Sequence, residues 1–448
     1  MTAPVARRGF SAESLGELIE RRDEPEWMRE RRRAAWQTYQ DIPMPTQQDE
    51  EWRRTSLRRL KLDDVEPYSE GSYASHTGHA GKTLVPPAER DEVFGGFIGL
   101  RDAARVEYRL SDDLRAKGVI FTDLQTAVRE HSDLVEKYFM TCCVPASDSK
   151  FAALHGAFWD NGVFLYVPRG VAVEEPLRAV TQANLQGRSS LAHTLIVLES
   201  DSQATFGEDF ISSEGERQGF SSRVLEIILK PGAKLHYIGI QRWGRAVYDF
   251  HTERAVLERD TNVVLQSVEL GSALSKGRVE ARLEGDGANA KLLGLYIEDG
   301  DQHLDRYTLQ DHIGAHGVSD LLFKGVLAGK ARSVYSGLIR VHPKAKGTGA
   351  YQQNRNLLLS HHARADSIPN LEIAENDIIG CSHGATVGKV DEEQLFYLMC
   401  RGLTRLEATH LIVEGFVDPI VEVTPIASLR DSLRQEIQER VNTVQAED

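Results

Sequence analysis

The chain has 448 residues, 41% of them hydrophobic and 27% charged, with a formal net charge of −14. This is the mixture of an ordinary globular protein, and its acidity disfavours a generic nucleic-acid or anionic-membrane partner. Four cysteines give no disulfide framework, no apolar run approaches the roughly 20 residues of a membrane span, and the N-terminus lacks the apolar core of a signal peptide, so a cytoplasmic protein is expected.

Residues 1–150 read as a mainly helical N-terminal region. Ser11 can cap a helix that carries Leu15, Leu18 and Ile19 on one face. Pro25 suits the first turn of a second helix, with Trp27, Met28 and Trp36 on its apolar side. Its Arg29, Arg31, Arg32 and Arg33 read as a solvated face. Tyr68 to Gly96, rich in Ser, His, Gly and Pro, reads as loop, and "LSDDLRAKGVIFTDLQTAVREHSDLVEKYF" as partly helical.

Residues 151–390 change character. Short runs rich in Val, Ile, Leu and Tyr, such as "TLIVLES", "VLEIILKPGAKLHYIGI" and "SVYSGLIRVH", follow one another with almost no convincing helix. Turns such as "PGAK", "DGANA" and "HPKAKG" divide them at roughly 20 to 28 residues, the period of a solenoid. Pattern alone leaves a β-helix and a large sandwich both open. As a β-helix, about nine coils at ~4.8 Å would make a rod roughly 40 Å long. Such a rod has two ends to cap, and the helical zones on either side are the candidates.

Residues 391–448 read as a C-terminal helical domain. Asp391 can cap "EEQLFYLMCR", and Thr404 with Glu407 forms a capping box for a helix ending near Gly415. In the last helix Ile426, Leu429, Leu433, Ile437 and Val441 fall on one stripe. Twelve acids against five bases give this zone −7, half the charge of the chain. That suits a protein-docking surface as well as a plain cap on the core.

Most motifs reduce to structure. "GDGANA" matches a dinucleotide fingerprint, but the run after it reads as a strand where the fingerprint needs a helix. No G-x-x-x-x-G-K-[ST] occurs, which excludes a P-loop. Cys142 and Cys143 read as structural, Cys400 as core, and His361-His362 as a polar turn. The absence of any C-x-x-C argues against a closed four-cysteine site.

Cys381 and His383 remain. In an extended segment they face one side, and thiolate with imidazole suits zinc, copper or an iron–sulfur species. Two ligands are half a site; the rest has to come from another chain or from sulfide. An incidental pair at the edge of the core stays open as the plainer reading. A nucleophile–base dyad lacks an orienting third group.

In order along the chain, "KGVLAGKARSVYSGLIRVHPKAKGTGAYQQNRNLLLS", "ADSIPNLEI" and "CSHGATVGKVDEEQLFYLMCRGL" resemble the SufB/SufD family of the SUF iron–sulfur cluster assembly system. The resemblance covers nearly the whole chain, and "EPEWMRERRRAAWQTYQDIPMPTQQDEEWRRTSL" looks SufD-like. It implies a mainly β fold, a right-handed parallel β-helix flanked by helical regions. SufB-like chains carry a cysteine where this one has Asn354, and read H-E-A-T where this one reads "HGAT", with Gly384 at the acidic position. Both departures place the chain nearer SufD.

The resemblance further implies a non-catalytic scaffold that pairs with a SufB-like paralogue, or with itself where SufB is absent. Cys381 and His383 would be candidate ligands of a transient cluster shared across that interface. The nucleotide would belong to a SufC-like ABC ATPase and not to this chain, with Phe396, Tyr397, Arg401 and Phe416 as candidate residues of the SufC dock. Two rivals differ in class: a β-helix carbohydrate-active enzyme, and a stable zinc metalloprotein using Cys381 and His383, with His361 and His362 as further candidate ligands.

Overall fold

The computed structural model describes residues 9–67 and 92–447, with side chains to residue 442. The loop expected from Tyr68 lies outside the described residues as far as residue 91. The β-like runs form a parallel solenoid of two ten-stranded sheets, each coil contributing one strand to each sheet over most of its length. Lys234, Asn262, Asn289, Val318, Gly349 and Gly380 start successive strands in register, a step of 27 to 31 residues. The coils are longer than the turn spacing in the sequence suggests, because each makes two corners and not every corner carries a turn signature.

Alternation along each strand explains why both faces are apolar. Phe206, Tyr237, Leu265, Leu292 and Leu321 are stacked in register and point into the solenoid core. One or three residues on, Ile238, Ile240, Val268, Leu293 and Leu295 point outward into a second apolar cluster. That outer row is covered by Ile426, Leu429, Leu433, Ile437 and Val441, so the helical stripe docks on the side of a sheet. Burying five such side chains contributes roughly 1.5–3 kcal/mol each before entropy is subtracted. A parallel sheet covered on both faces reads as near-continuous hydrophobic runs, which is the character of "VLEIIL" and "LLGLYI".

Most of the helices therefore clad the sides of the solenoid, and of the two terminal regions only the N-terminal one also closes an end. The N-terminal helices Ala12–Arg21, Glu26–Asp41 and Lys150–Phe158 pack on the outside of the other sheet, around Phe220, Phe250 and Leu274. The first end is closed by two antiparallel strands, Ala104–Leu110 and Ile120–Asp123, and by Leu114, Val119 and Phe121, which join the interior cluster. The far end, formed by Arg364–Ile373 and Gly380–Lys389, has no covering element among the described residues.

Local signals are mostly confirmed. Ser11 and Thr404 each make a capping box, with Ser14 and Glu407 as partners. Pro25 stands one residue before its helix. "GDGANA" leads into the strand Asn289–Glu298, so no dinucleotide fingerprint exists. Two expectations fail. The helix from Arg405 passes through Gly415 to Val421, because Val417, Ile420 and Val421 all gain burial against the sheet. Arg32 is fully buried, where a solvated arginine face was expected. Its guanidinium donates to both oxygens of Glu24 at 2.7 and 2.8 Å and to the carbonyls of Ala157 and Trp159.

Candidate functional site

Cys381 and His383 lie on the last strand, Gly380–Lys389, opposite Ala350 and Gln352. This strand ends its sheet, so one row of its backbone groups is unpaired among the described residues. Arg364–Ile373 ends the other sheet in the same way. Leu371, Ile373, Ile379 and Val387 are exposed on this coil, Ile379 at 75%. Long unpaired edges with exposed apolar side chains are templates for pairing with another chain, and isolated proteins normally blunt them.

The two side chains differ in setting. Cys381 is half-buried, and with Ile378 it packs against Ile339, Val341, Ala345 and Ala350. Burial pushes its thiol upward, away from the thiolate form. His383 is exposed. An incoming cation would favour the thiolate of Cys381, and the imidazole beside it is free to coordinate.

His361 and His362 do not join them. Both are exposed, and His361 Nδ1 meets Lys389 Nζ at 2.9 Å. Lys389 is eight residues beyond Cys381 on an extended strand, a separation of roughly 26 Å at ~3.3 Å per residue. The four-ligand zinc site considered from sequence is not assembled within this chain. Cys400 is likewise not core: it is exposed at the end of its helix, while Cys143 is buried and Cys142 exposed.

Asn354, where the resemblance implies a cysteine in SufB-like chains, is buried in the solenoid interior. Its amide donates to Tyr296 Oη at 3.2 Å, and its oxygen accepts from Asn356 and Ser367 at 2.8 Å each. Every polar atom of that side chain is thus committed to structure. Gly384 is open: a Cβ built there meets no atom within 4 Å, so steric demand does not explain the missing acidic residue.

The candidate docking residues sit on two helices. Glu392–Cys400 buries only Leu395, leaving Phe396 69% and Tyr397 58% exposed, with Met399 also open. Arg401 folds back over Tyr397, donating to its hydroxyl at 3.0 Å with its cation 5.1 Å from the ring centroid. Gly402, at φ +99°, makes the left-handed turn that ends this helix. Phe416, on Arg405–Val421, is half-buried beneath Lys324, whose ammonium lies 4.8 Å from the ring centroid. Phe396 and Tyr397 are thus available for contact, whereas Phe416 supports the helix from below.

One cluster was not found from sequence. Asp249, His251 and Glu269 place ligand atoms within 4.8 Å of one another, fully buried. Arg223 already fills the cation position, 2.7 Å from Asp249, 3.0 Å from Glu269 and 3.1 Å from His251 Nδ1, and Arg306 closes the other side of His251. Burial pushes Asp249 upward, but Arg223 and His251 outweigh it and hold the carboxyl well below its usual range. The cluster is an internal ion network. Asp249 and His251 share one strand at the same spacing as Cys381 and His383, but Glu269, Arg223 and Arg306 come from other strands, so the network as a whole has no local signature.

Comparisons with known proteins agree with this geometry. Residues 180–416 match the family described as "SUF system FeS cluster assembly, SufBD core domain", and residues 103–179 match "SufBD protein N-terminal region". The chain is 33% identical over 435 residues to the iron–sulfur cluster assembly protein SufD of Bacillus subtilis, covering 96% of this chain and 97% of the relative. It is 30% identical over 431 residues to SufB of the same organism, covering 94% and 91%. An iron–sulfur cluster assembly SufBD family protein of Staphylococcus haemolyticus is 31% identical over 433 residues, with the same coverage.

Proposed function

The chain belongs to the SufBD family of the SUF iron–sulfur cluster assembly system, and from that premise we propose that it is a SufD-type scaffold subunit that pairs with a SufB-like paralogue through its open last coil. Members of the family are scaffold components and not catalysts, which removes the carbohydrate-active reading. The observation that carries the proposal is the edge strand Gly380–Lys389, exposed and, among the described residues, unpaired along its outer edge, with Cys381 and His383 on one side of it. The cluster is cargo, held briefly between chains, with Cys381 and His383 as this chain's ligands. Asn354 in place of a cysteine favours the SufD role over the SufB role.

The same reading gives the exposed Phe396 and Tyr397 to a SufC-like ABC ATPase, with Arg401 bracing Tyr397 and Phe416 supporting the neighbouring helix. The strand bearing Cys381 ends at Lys389 and the helix begins at Glu392. A displacement of that helix by nucleotide-driven closure of the ATPase would be delivered to the strand with little slack. Where no SufB-like chain is present, the same edge would serve a second copy of this one.

Co-expression with the cognate SufB-like and SufC-like chains, followed by size-exclusion chromatography, tests the pairing. Ile379→Asp/Val387→Asp alters only exposed positions and is expected to abolish capture of the SufB-like chain while leaving the thermal melting temperature unchanged. Full assembly by that variant would contradict the proposed interface. No helix of the described residues is long and apolar enough to cross a membrane.

A further inference from the structure

We propose that a cleft between the N-terminal segment and the Arg364-edged sheet binds a small diphosphate or bisphosphate. The cavity has a volume of about 550 Å³ and is lined by Arg54, Arg58, Arg59, Arg245 and Arg332. Asp301 is the single acid among its lining residues. In a chain of net charge −14, five arginines around one cavity depart from the surface average. A concave site of this volume fits a small molecule better than a membrane or a nucleic-acid duplex.

Register creates one wall of the cleft. Tyr248, Leu274, His303 and Arg332 stand directly opposite one another on four successive parallel strands. At ~4.8 Å per strand this row runs about 14 Å, enough for two phosphoryl groups and the atoms between them. The other wall is the segment bearing Arg54, Arg58 and Arg59. Thr55 pins it, its hydroxyl donating to Asp305 and lying 3.0 Å from His303 Nε2.

Three guanidiniums are held in place and two are free to engage. Arg54 and Arg332 share Asp366 at 3.7 and 3.1 Å, and Arg245 is paired with Asp299. Arg58 and Arg59 are exposed and have no ion pair to a described residue. Counting Asp299 and Asp366 with Asp301, the cations still exceed the acids. The planar guanidinium fork matches phosphate oxygens in pairs, a geometry that lysine does not reproduce.

Calorimetric titration of the full chain with inorganic pyrophosphate tests the cleft, with citrate as a carboxylate of comparable charge. Pyrophosphate is expected to bind, more weakly in about 0.5 M salt, as partly exposed cations require. Arg58→Gln/Arg59→Gln is expected to weaken it about tenfold or more with melting temperature unchanged, and Arg332→Gln provides an independent second variant with the same expected loss. Absence of binding at millimolar pyrophosphate, equal binding of citrate, or wild-type affinity in both variants would overturn the site. The proposal stands on the cleft alone, so a failure of the scaffold reading leaves it untouched.

Discussion

Cys381 and His361 occupy opposite ends of the last coil, the first beside Ala350 and the second against Lys389. The chain therefore offers two ligands in one place, not four. Purified alone, it is expected to retain substoichiometric zinc after mild chelation, and His361→Ala/His362→Ala should leave that content unchanged. A stoichiometric, chelator-resistant zinc lost in the double variant would restore the metalloprotein reading. Elemental analysis of wild type and variant decides it.

The proposed SufD role leans on Asn354, and that side chain is structurally committed. Asn354→Cys leaves Tyr296, Asn356 and Ser367 short of a partner in a buried network. Leaving buried polar groups unsatisfied costs about 1–3 kcal/mol. Urea denaturation should show a lowered midpoint of that order with an unchanged slope. An equally stable variant would show that the network relaxes without cost.

Glu24 and Arg32 form a buried pair whose loss leaves an isolated charge. Glu24→Gln is expected to destabilise the chain by about 3–5 kcal/mol. Burial pushes Glu24 upward, but Arg32 and Arg22 outweigh it and hold its carboxyl below the usual range. Its contribution is thus present above the unfolded value of 4.5 and is lost as pH falls through the lower folded value. A chemical melt at pH 7 compared with one near pH 3 should show the variant's deficit shrinking in acid.

Other buried carboxyls act in the opposite sense. Burial pushes Glu226 to about 8 and Glu208 and Glu253 to about 7. Each keeps its proton in the fold after the unfolded chain has released it, so stability falls as pH rises from about 4.5 towards 8. His193, lowered to about 3 by burial, opposes this only below about pH 6.5, where the unfolded imidazole takes up a proton. The melting temperature is therefore expected to fall between pH 6.5 and 8. Glu208→Gln, which keeps an acceptor for Thr194 and Tyr237, should flatten that fall. An identical slope in the variant would contradict the assignment.

Phe396 and Tyr397 separate stability from docking. Both are mostly exposed, so Phe396→Ala/Tyr397→Ala should change the melting temperature little while reducing capture of the SufC-like partner in pull-down. Leu433→Ala, in the buried stripe, should instead cost about 2–5 kcal/mol. Capture that survives the first substitution would move the dock elsewhere on the helical zone.

Features set by spacing were legible in the sequence. The stripe from Ile426 to Val441 and the shared face of Cys381 and His383 follow from periods of 3.6 and 2, and the cap at Ser11 and the capping box at Thr404 follow from residue type at fixed offsets. Features set by distant partners were not. Arg32 looks solvated within a run of arginines, and only Glu24 together with the carbonyls of Ala157 and Trp159 makes its burial tolerable. Cys400 sits among apolar residues, yet its helix buries only Leu395, so an apolar neighbourhood in sequence did not mean a buried one. The uncovered end of the solenoid could not be read either: helical zones at both termini suggested caps, but only the N-terminal region closes an end, while the C-terminal stripe lies on the outer face of a sheet.

The most direct test concerns Cys381 and His383 within the assembled complex. The chain would be co-expressed with its SufB-like and SufC-like partners, purified without oxygen, and compared with Cys381→Ser/His383→Ala for iron and acid-labile sulfide per complex. A marked loss of both in a variant that assembles normally is the predicted result. Unchanged iron and sulfide in an intact complex would contradict a ligand role and reduce the pair to ordinary interface residues.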